Sequence, residues 1–586
     1  MMPRIPSRAV EGLLYALTAF GVIAFGGVEP WSRAAIEVLA FLLALAVFLK
    51  GRPAASPEGS WFWLFPAAVA ALGGLQLATV VAPGDPHPLR PFTATPYETR
   101  AAVILWAACA AVLWSVPRVI VTPDSARRYA SFLFGVGLAL AVLGLLQTLT
   151  GGDKLYWLRY APRVSSFGSY YNRDHAANIL LMSSALGLGL FYARPHRLLA
   201  GGLLVVLLGL VACASQASFI AVALAAAAVA FLGADFAPSA RLRRLRAGLA
   251  LAGAVLAIFF AYRHVVASAD AGSLIDRSVM GRLSIYGDSI RWWRDAPLFG
   301  TGLGGFETIY PSYQDLGLIG TAAHAHSDWI ELLLETGIFG LIGALIAAGL
   351  AVLRVHRTWR EARSSDMRAL IGGGLAAAAA FAAHSLFEFS FQIPANAIMF
   401  FTVLGFLLSA LSWADKSGSR LAERPPNPGA AILAAAYCLV LMRTAILPAA
   451  AAWKAAKPVE PIERVVAVAE AVSLDPNPGL AALLSVAAFR AAGEAQPPDY
   501  ALMRLSLRYA LAAAEARPFS ADVLYLAGET LRRLERPADG RDYVARSEAV
   551  RFSRIEPRRA SSGERRKKKL EMLRELDLIP LARGKK

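Results

Sequence analysis

Runs of apolar residues long enough to cross a bilayer recur along this chain from Leu13 to about Trp453. A helix needs roughly 17–25 apolar residues to span the hydrocarbon core, and only helices or closed barrels satisfy their backbone there. The runs are continuous rather than alternating, so the expected fold class is all-α: a polytopic membrane helical bundle. Composition agrees, with 56% hydrophobic and 17% charged residues among 586. Soluble domains carry roughly 25% charged residues. About thirteen spans fit the pattern, at 12–29, 34–49, 61–81, 101–116, 131–149, 176–193, 198–214, 217–233, 247–263, 328–353, 369–386, 393–412 and 429–450. The first follows Arg4 and Arg8 with no small-residue cleavage site, and reads as a retained helix.

Basic residues then set an orientation. Lys50 and Arg52, Arg118 with Arg127 and Arg128, Arg194 and Arg197, the Arg241–Arg246 cluster, Arg354–Arg368, and Lys416–Arg424 all fall in loops of one parity. The positive-inside rule makes these loops cytoplasmic. The N-terminus is then cytoplasmic, and the segment 264–327 and everything after about 451 lie outside. The net charge of +17 comes largely from residues flanking membrane runs and from the C-terminal tail, so nucleic acid is a poor partner for it. Cys109, Cys213 and Cys438 lie in apolar runs and offer neither a disulfide framework nor metal spacing.

The resulting division is an N-terminal set of membrane helices over 1–263, an external segment over 264–327, a second membrane set over 328–450, a helical domain over 451–560 and a basic tail over 561–586. The helical domain alternates Ala-rich amphipathic stretches with breakers at Asp475-Pro476-Asn477-Pro478, Arg517-Pro518 and Glu556-Pro557. Spacings of about 40 residues resemble a degenerate tetratricopeptide array, a shape that docks a protein partner or a polymer. An irregular helical tail is the plainer alternative. Arg565–Lys569 form a charge run of the kind that is usually solvated.

The external segment carries chemistry. It holds Arg282, Trp292, Trp293 and Arg294, then Gly300-Thr301-Gly302-Leu303-Gly304-Gly305-Phe306, Tyr310, Tyr313, and His324-Ala325-His326-Ser327 at the lip of the next apolar run. Histidine exchanges a proton near neutral pH and serves well as a general base. Arginine suits bidentate contact with phosphate. The aromatic residues suit either sugar stacking or an interfacial belt. The glycine cluster suits either an anion-binding turn or plain turn geometry.

His326-Ser327, nine residues and Gly337-Ile338-Phe339-Gly340 resemble the signature of O-antigen ligases. Arg282 to Phe306 resembles the Arg…Trp…Pro-Leu-x-Gly-x-Gly-x-x-Phe pattern of the same family. Gly26–Trp31, Phe167–Ala176 and His384–Asn396 resemble its other external turns, with Asp174 for an Asn and Glu388 where Asp is usual. The likeness covers roughly residues 10–450. One departure stands out: ligases carry a Ser-Arg pair near the eighth span, whose Arg helps bind the lipid diphosphate. Here Ala214-Ser215-Gln216-Ala217-Ser218 offers uncharged Gln216, with Arg173 or Arg163 as other sources of charge.

The resemblance implies a membrane glycosyltransferase of the GT-C type in the bacterial inner membrane, with about 12–13 spans. The donor would be a glycan on undecaprenyl diphosphate at the periplasmic face. The acceptor would be lipid A-core or a growing polysaccharide, with no metal or cofactor. His326 would be the catalytic base and Arg282 the diphosphate-binding residue. His324, Arg173, Arg294, Gln216 and Glu388 would contact substrate, Glu388 alternatively fixing a histidine tautomer if the last external turn folds over the first. His175 and His384 read as structural. Transfer to protein, as in O-oligosaccharyltransferases, is the alternative within the enzyme class. A polysaccharide transporter or assembly scaffold is the alternative outside it. Gln216 and the helical domain favour polymerase over ligase.

Overall fold

The computed structural model describes residues 7–50, 61–81, 89–151, 154–161, 166–213, 274–314, 322–362, 364–414, 428–456, 460–494, 499–516, 520–534 and 537–552. The spans expected at 217–233 and 247–263, the basic cluster at Arg241–Arg246, Gln216, Arg163 and the basic tail lie outside the described residues. The described chain is almost wholly helical, apart from a two-residue antiparallel ribbon, β1 (Lys154–Leu155) with β2 (Arg159–Tyr160). An all-α polytopic membrane bundle is what the structure shows.

The membrane part comprises α1 (Ser7–Ile23), α2 (Pro30–Lys50), α3 (Leu64–Gln76), α4 (Pro96–Val119), α5 (Pro123–Leu149), α6 (Arg173–Ala193) and α7 (Arg197–Cys213). After α8 (Leu274–Asp295) come α9 (Asp328–Glu361), α10 (Ser365–His384), α11 (Pro394–Ala414) and α12 (Pro428–Ala455). Seven described helices are long and apolar enough to cross a membrane, and three shorter apolar helices accompany them. Each expected span in the described chain corresponds to a helix. The polar ends extend further than hydropathy suggested: α9 runs to Glu361.

Lipid tails are as apolar as leucine, so burial does not drive these helices together; close packing and hydrogen bonds do. The α6–α10 contact shows how. A Cβ on Gly189 would lie 2.8 Å from the Ala369 carbonyl, and one on Gly373 would lie 2.8 Å from Gly189 Cα. Only glycine lets the two backbones approach so closely. As a result α6 is buried on nearly every side, and its first turn is fixed against the end of α10.

The two ends of the bundle differ in chemistry. At one end Arg127 before the α5 apolar run and Arg194 after α6 both pair with Asp366, each at 3.3 Å. The opposite end holds the starts of α4, α6, α9 and α11 and the end of α10, and it is there that the histidines gather. This division matches the parity of the basic loops.

The described part of the segment 264–327 is folded. It contains α8, with Arg282, and a compact turn at Gly300–Phe306 leading to one helical turn at Phe306–Ile309. Gly300 has φ 68°, and a Cβ there would sit 2.4 Å from the Glu335 carbonyl. Thr301 N–H donates to Leu334 O (3.1 Å), and Leu303 N–H to Gln76 Oε1 (3.2 Å). These glycines therefore serve close packing against α9 and α3. Trp292, Tyr310 and Tyr313 are buried, with Trp292 and Tyr313 stacked at 5.6 Å, so they form the core of this cap rather than a sugar platform or an interfacial belt.

Beyond α12 stand α13 (Pro461–Leu474), α14 (Pro478–Glu494), α15 (Tyr500–Ala516), α16 (Ala521–Arg533) and α17 (Pro537–Phe552), each packed on the next. Asp475, in the turn after α13, is buried. It accepts from Arg100 Nη2 (2.8 Å), Tyr97 Oη (2.9 Å) and Asn477 Nδ2 (3.1 Å). Arg100 and Tyr97 sit in the first turns of α4, so this carboxylate fastens the helical domain to the site-bearing end of the bundle.

Candidate functional site

Three histidines from two segments converge on Phe389, in the turn between α10 and α11. The His324 ring stacks on it (centroids 4.0 Å, 15°), and the His326 ring meets it edge-on at 5.4 Å. His175, in the first turn of α6, meets it edge-on at 4.7 Å. The turn between α10 and α11 thus does fold over the histidine turn that precedes α9. Hydrogen bonds hold the arrangement: Asp328 N–H donates to Ser385 O (3.0 Å) and Glu388 O (3.2 Å), and the Asp328 carboxylate accepts from Phe391 N–H at 3.1 Å.

Glu388 is the centre of charge. It is buried, and its Oε1 accepts from Arg282 Nη2 at 2.7 Å. Its Oε2 lies 3.6 Å from His326 Nδ1. That distance is an ion-pair contact at the edge of hydrogen-bond reach. Neither of the two facing atoms has another partner among the described residues. Burial pushes the Glu388 carboxyl up, but His326 and the Arg282 guanidinium outweigh it and hold the group below its usual range. Arg282 is bound on one nitrogen only by this contact, and a guanidinium carries five N–H donors. Its side chain is 25% exposed and that of His326 36%, so both reach open space while Glu388 does not.

His326 has φ 53°, a left-handed conformation that a bulky residue adopts at a cost of about 1–3 kcal/mol. Its carbonyl accepts from Tyr286 Oη at 3.2 Å, one helical turn after Arg282 on α8. His324 faces another acid: Nδ1 is 3.2 Å from Glu331 Oε1, which also accepts from Ala325 N–H at 2.7 Å. Burial lowers the His324 pKa, but the Glu331 carboxylate outweighs it and the net shift is upward.

The glycine spacing has a physical cause. Gly337 breaks α9 with φ 66° and ψ −167°, and a Cβ there would lie 2.2 Å from the Leu298 carbonyl. A Cβ on Gly340 would meet Thr336 Oγ1 at the turn before it. The kink lets α9 lie against the Pro297–Phe299 strand of chain, where Ile338 N–H donates to Pro297 O at 2.8 Å. The histidines stand at the head of the helix section above it.

The remaining candidates separate. Arg173 opens α6 at the same end, half-buried, with no ion pair among the described residues. Arg294 is exposed, twelve positions along α8 from Arg282, a rise of about 18 Å. His384 is buried with Nδ1 3.2 Å from Ser390 Oγ and 3.3 Å from Asn178 Nδ2. Phe389, Tyr286, Asp328 and Glu331 were given no role from sequence. Asp328 and Glu331 were detectable as acids in the first turn of a helix; Phe389 and Tyr286 offered no such sign.

Site and fold define a polytopic membrane protein whose polar machinery sits at one end of the helices, under a folded cap. Residues 200–345 match the family model described as O-Antigen ligase, a stretch that includes α8, the histidine turn and the kink of α9. This match supports the O-antigen ligase and polymerase family reading of the chain. No curated protein matches the chain.

Proposed function

We propose that the protein transfers a glycan from undecaprenyl diphosphate to a hydroxyl on lipid A-core or a growing polysaccharide, at the periplasmic face of the inner membrane. One observation carries the reading: Arg282, Glu388 and His326, from three separate segments, form a continuous chain of polar contacts with both ends open to space. An alcohol is a weak nucleophile at neutral pH, and a positioned base contributes about 10²–10⁴-fold. Glu388 faces Nδ1 of His326, which favours a proton there and leaves Nε2 as the base. Nε2 takes the acceptor proton as the acceptor oxygen bonds to the anomeric carbon. The bond to the diphosphate oxygen breaks with its electron pair on the diphosphate, and the configuration inverts. The free N–H groups of Arg282 stabilise the leaving charge, with Arg173 placed to help.

His324 supports the turn through Glu331 and Phe389. Arg294 is left for the headgroup or glycan further out. The fastened helical domain suits a polymer acceptor, which draws the reading toward polymerisation. Purified protein supplied with lipid-linked glycan tests it: His326→Ala lowers turnover by about 10²–10⁴-fold with folding intact. Near-wild-type turnover would sink the role. Loss of chain length in a deletion strain marks a polymerase; loss of capped lipopolysaccharide marks a ligase.

A further inference from the structure

We propose a second glycan-binding subsite, an aromatic platform built on Phe25, which takes a sugar ring of the substrate away from the reacting carbon. This rests on the glycan-transfer reading for the identity of the ligand. Phe25 lies in the turn between α1 and α2. Trp31 and Tyr156 meet its ring edge-on at 6.2 and 5.7 Å, and Tyr171 stacks on it at 5.9 Å. The Arg159 guanidinium lies over both Phe25 (5.6 Å) and Tyr171 (5.5 Å). Glu29 Oε1 accepts from Arg159 (3.0 Å) and from Tyr171 Oη (2.7 Å).

This is the chemistry that recognises a sugar. The apolar face of the ring stacks on an aromatic side chain, while a carboxylate and a guanidinium meet its hydroxyls. Trp31 is 47% exposed and the Arg159 side chain 49%, so a face and a charge are both available. Backbone strain marks the same spot. Among the described residues four non-glycine positions have positive φ: Phe25 at 57°, Tyr156 at 54° and Trp157 at 58° form or adjoin the platform, and the fourth is His326. Strain of this kind persists where the surroundings over-determine it, commonly at binding sites. A lone interfacial tryptophan needs neither the strain nor the ion pair.

The platform is joined to the candidate active site. A Cβ on Gly26 would lie 2.6 Å from the Tyr170 ring and 3.4 Å from Ile393, and one on Gly27 would lie 3.1 Å from Pro394. Ile393 and Pro394 end the turn that carries Glu388 and Phe389. One glycan can therefore lie across that turn, its reacting end at His326 and a later unit on Trp31.

The test is calorimetric titration of full-length protein in nanodiscs with the oligosaccharide released by mild acid from the host's lipid-linked glycan. The wild type binds it, and Trp31→Leu weakens binding by about tenfold or more, the scale of a lost aromatic contact. Trp31→Tyr, which restores a ring, recovers most of it, and Glu29→Gln weakens it also. Leucine keeps the apolar character a membrane anchor needs, so unchanged binding in Trp31→Leu overturns the proposal. So does quenching of Trp31 fluorescence by brominated lipid with no response to the oligosaccharide, which marks an interfacial anchor. If His326→Ala retained transfer the catalytic reading would fall, while the platform would stand on its own titration.

Discussion

Two pairs of histidines surround one turn, and they are built differently. His324 and His326 stand before α9, each half-exposed and each facing a carboxylate: Glu331 and Glu388. His175 and His384 sit below, at the start of α6 and the end of α10, both buried. His384 meets only the neutral Asn178 and Ser390, and the His175 carbonyl accepts from Asn396 Nδ2 at 3.0 Å. Asn178 Nδ2 also donates to Ser390 Oγ at 2.6 Å. One residue type thus does two jobs. A part-exposed ring that faces a carboxylate on one side and open space on the other is placed to meet a substrate. A buried ring among neutral partners cannot be charged cheaply, and it serves as a hydrogen-bonding peg.

The comparison breaks first at Glu388. Glu388→Gln keeps the shape but removes the charge that faces His326 Nδ1, and a carboxamide that donates to the ring favours the wrong tautomer. Turnover should fall by about 10²-fold, at the lower end of what a positioned base supplies. The pH dependence follows from the depressed Glu388 pKa. Its charge is fully present above the ordinary carboxyl range and is lost as pH falls through the lower folded value. The stability that the charged Glu388 contributes should therefore persist in the wild type down to that lower value, and Glu388→Gln should lack this acid-side step in a pH series of thermal unfolding. A half-maximal rate in Glu388→Gln would show that the upper pair needs no acid partner.

The lower pair should respond in stability instead. His384→Ala removes a partner from Asn178 and Ser390 in a buried layer, a cost of about 1–3 kcal/mol. Thermal unfolding in detergent should show it as an earlier transition, while turnover per folded molecule stays near wild type. If turnover per folded molecule collapsed as in His326→Ala, the division between the pairs would be wrong.

Much of this was legible in the chain and some was not, for identifiable reasons. Hydropathy located the described spans because a bilayer demands a length that few soluble helices match. It missed the polar ends of α5 and α9, where helix continues into water under capping control; Thr122 and Ser125 form a capping box at α5. The spacing from His326 to Gly337 and Gly340 was visible, but its cause, a backbone approach to Leu298, needs three dimensions. Glu388 could be named as a candidate partner, yet its contact with both Arg282 and His326 depends on how the turn after α10 packs on the turn before α9. The aromatic cap was misread because amphipathic α8 buries Trp292, and a single tryptophan in a polar segment looks the same whether it faces sugar, lipid or core. The last apolar helix runs to Ala455, past the expected boundary at 451, and the fastening of the helices beyond it through Asp475 could not be read from a turn that looks like any other breaker.

The finest distinction lies within the upper pair. His324 and His326 share Phe389, but His324 is the one whose pKa is raised, because Glu331 outweighs burial. A raised histidine pKa stabilises the fold fully below the unfolded value, near 6.5, and the contribution is lost as pH rises through the folded value. His324→Gln should therefore weaken the protein in mild acid and matter least in alkali. The effect should be under about 1 kcal/mol, since the ring is partly exposed and solvent screens the pair. Stability curves of the two proteins between mildly acidic and alkaline pH should converge as pH rises. Because the α9 turn is also held by Asp328 and by Ala325 N–H on Glu331, turnover at neutral pH should change little. A turnover loss in His324→Gln comparable to that in His326→Ala, with stability curves that never converge, would move His324 from support of the turn into the chemistry.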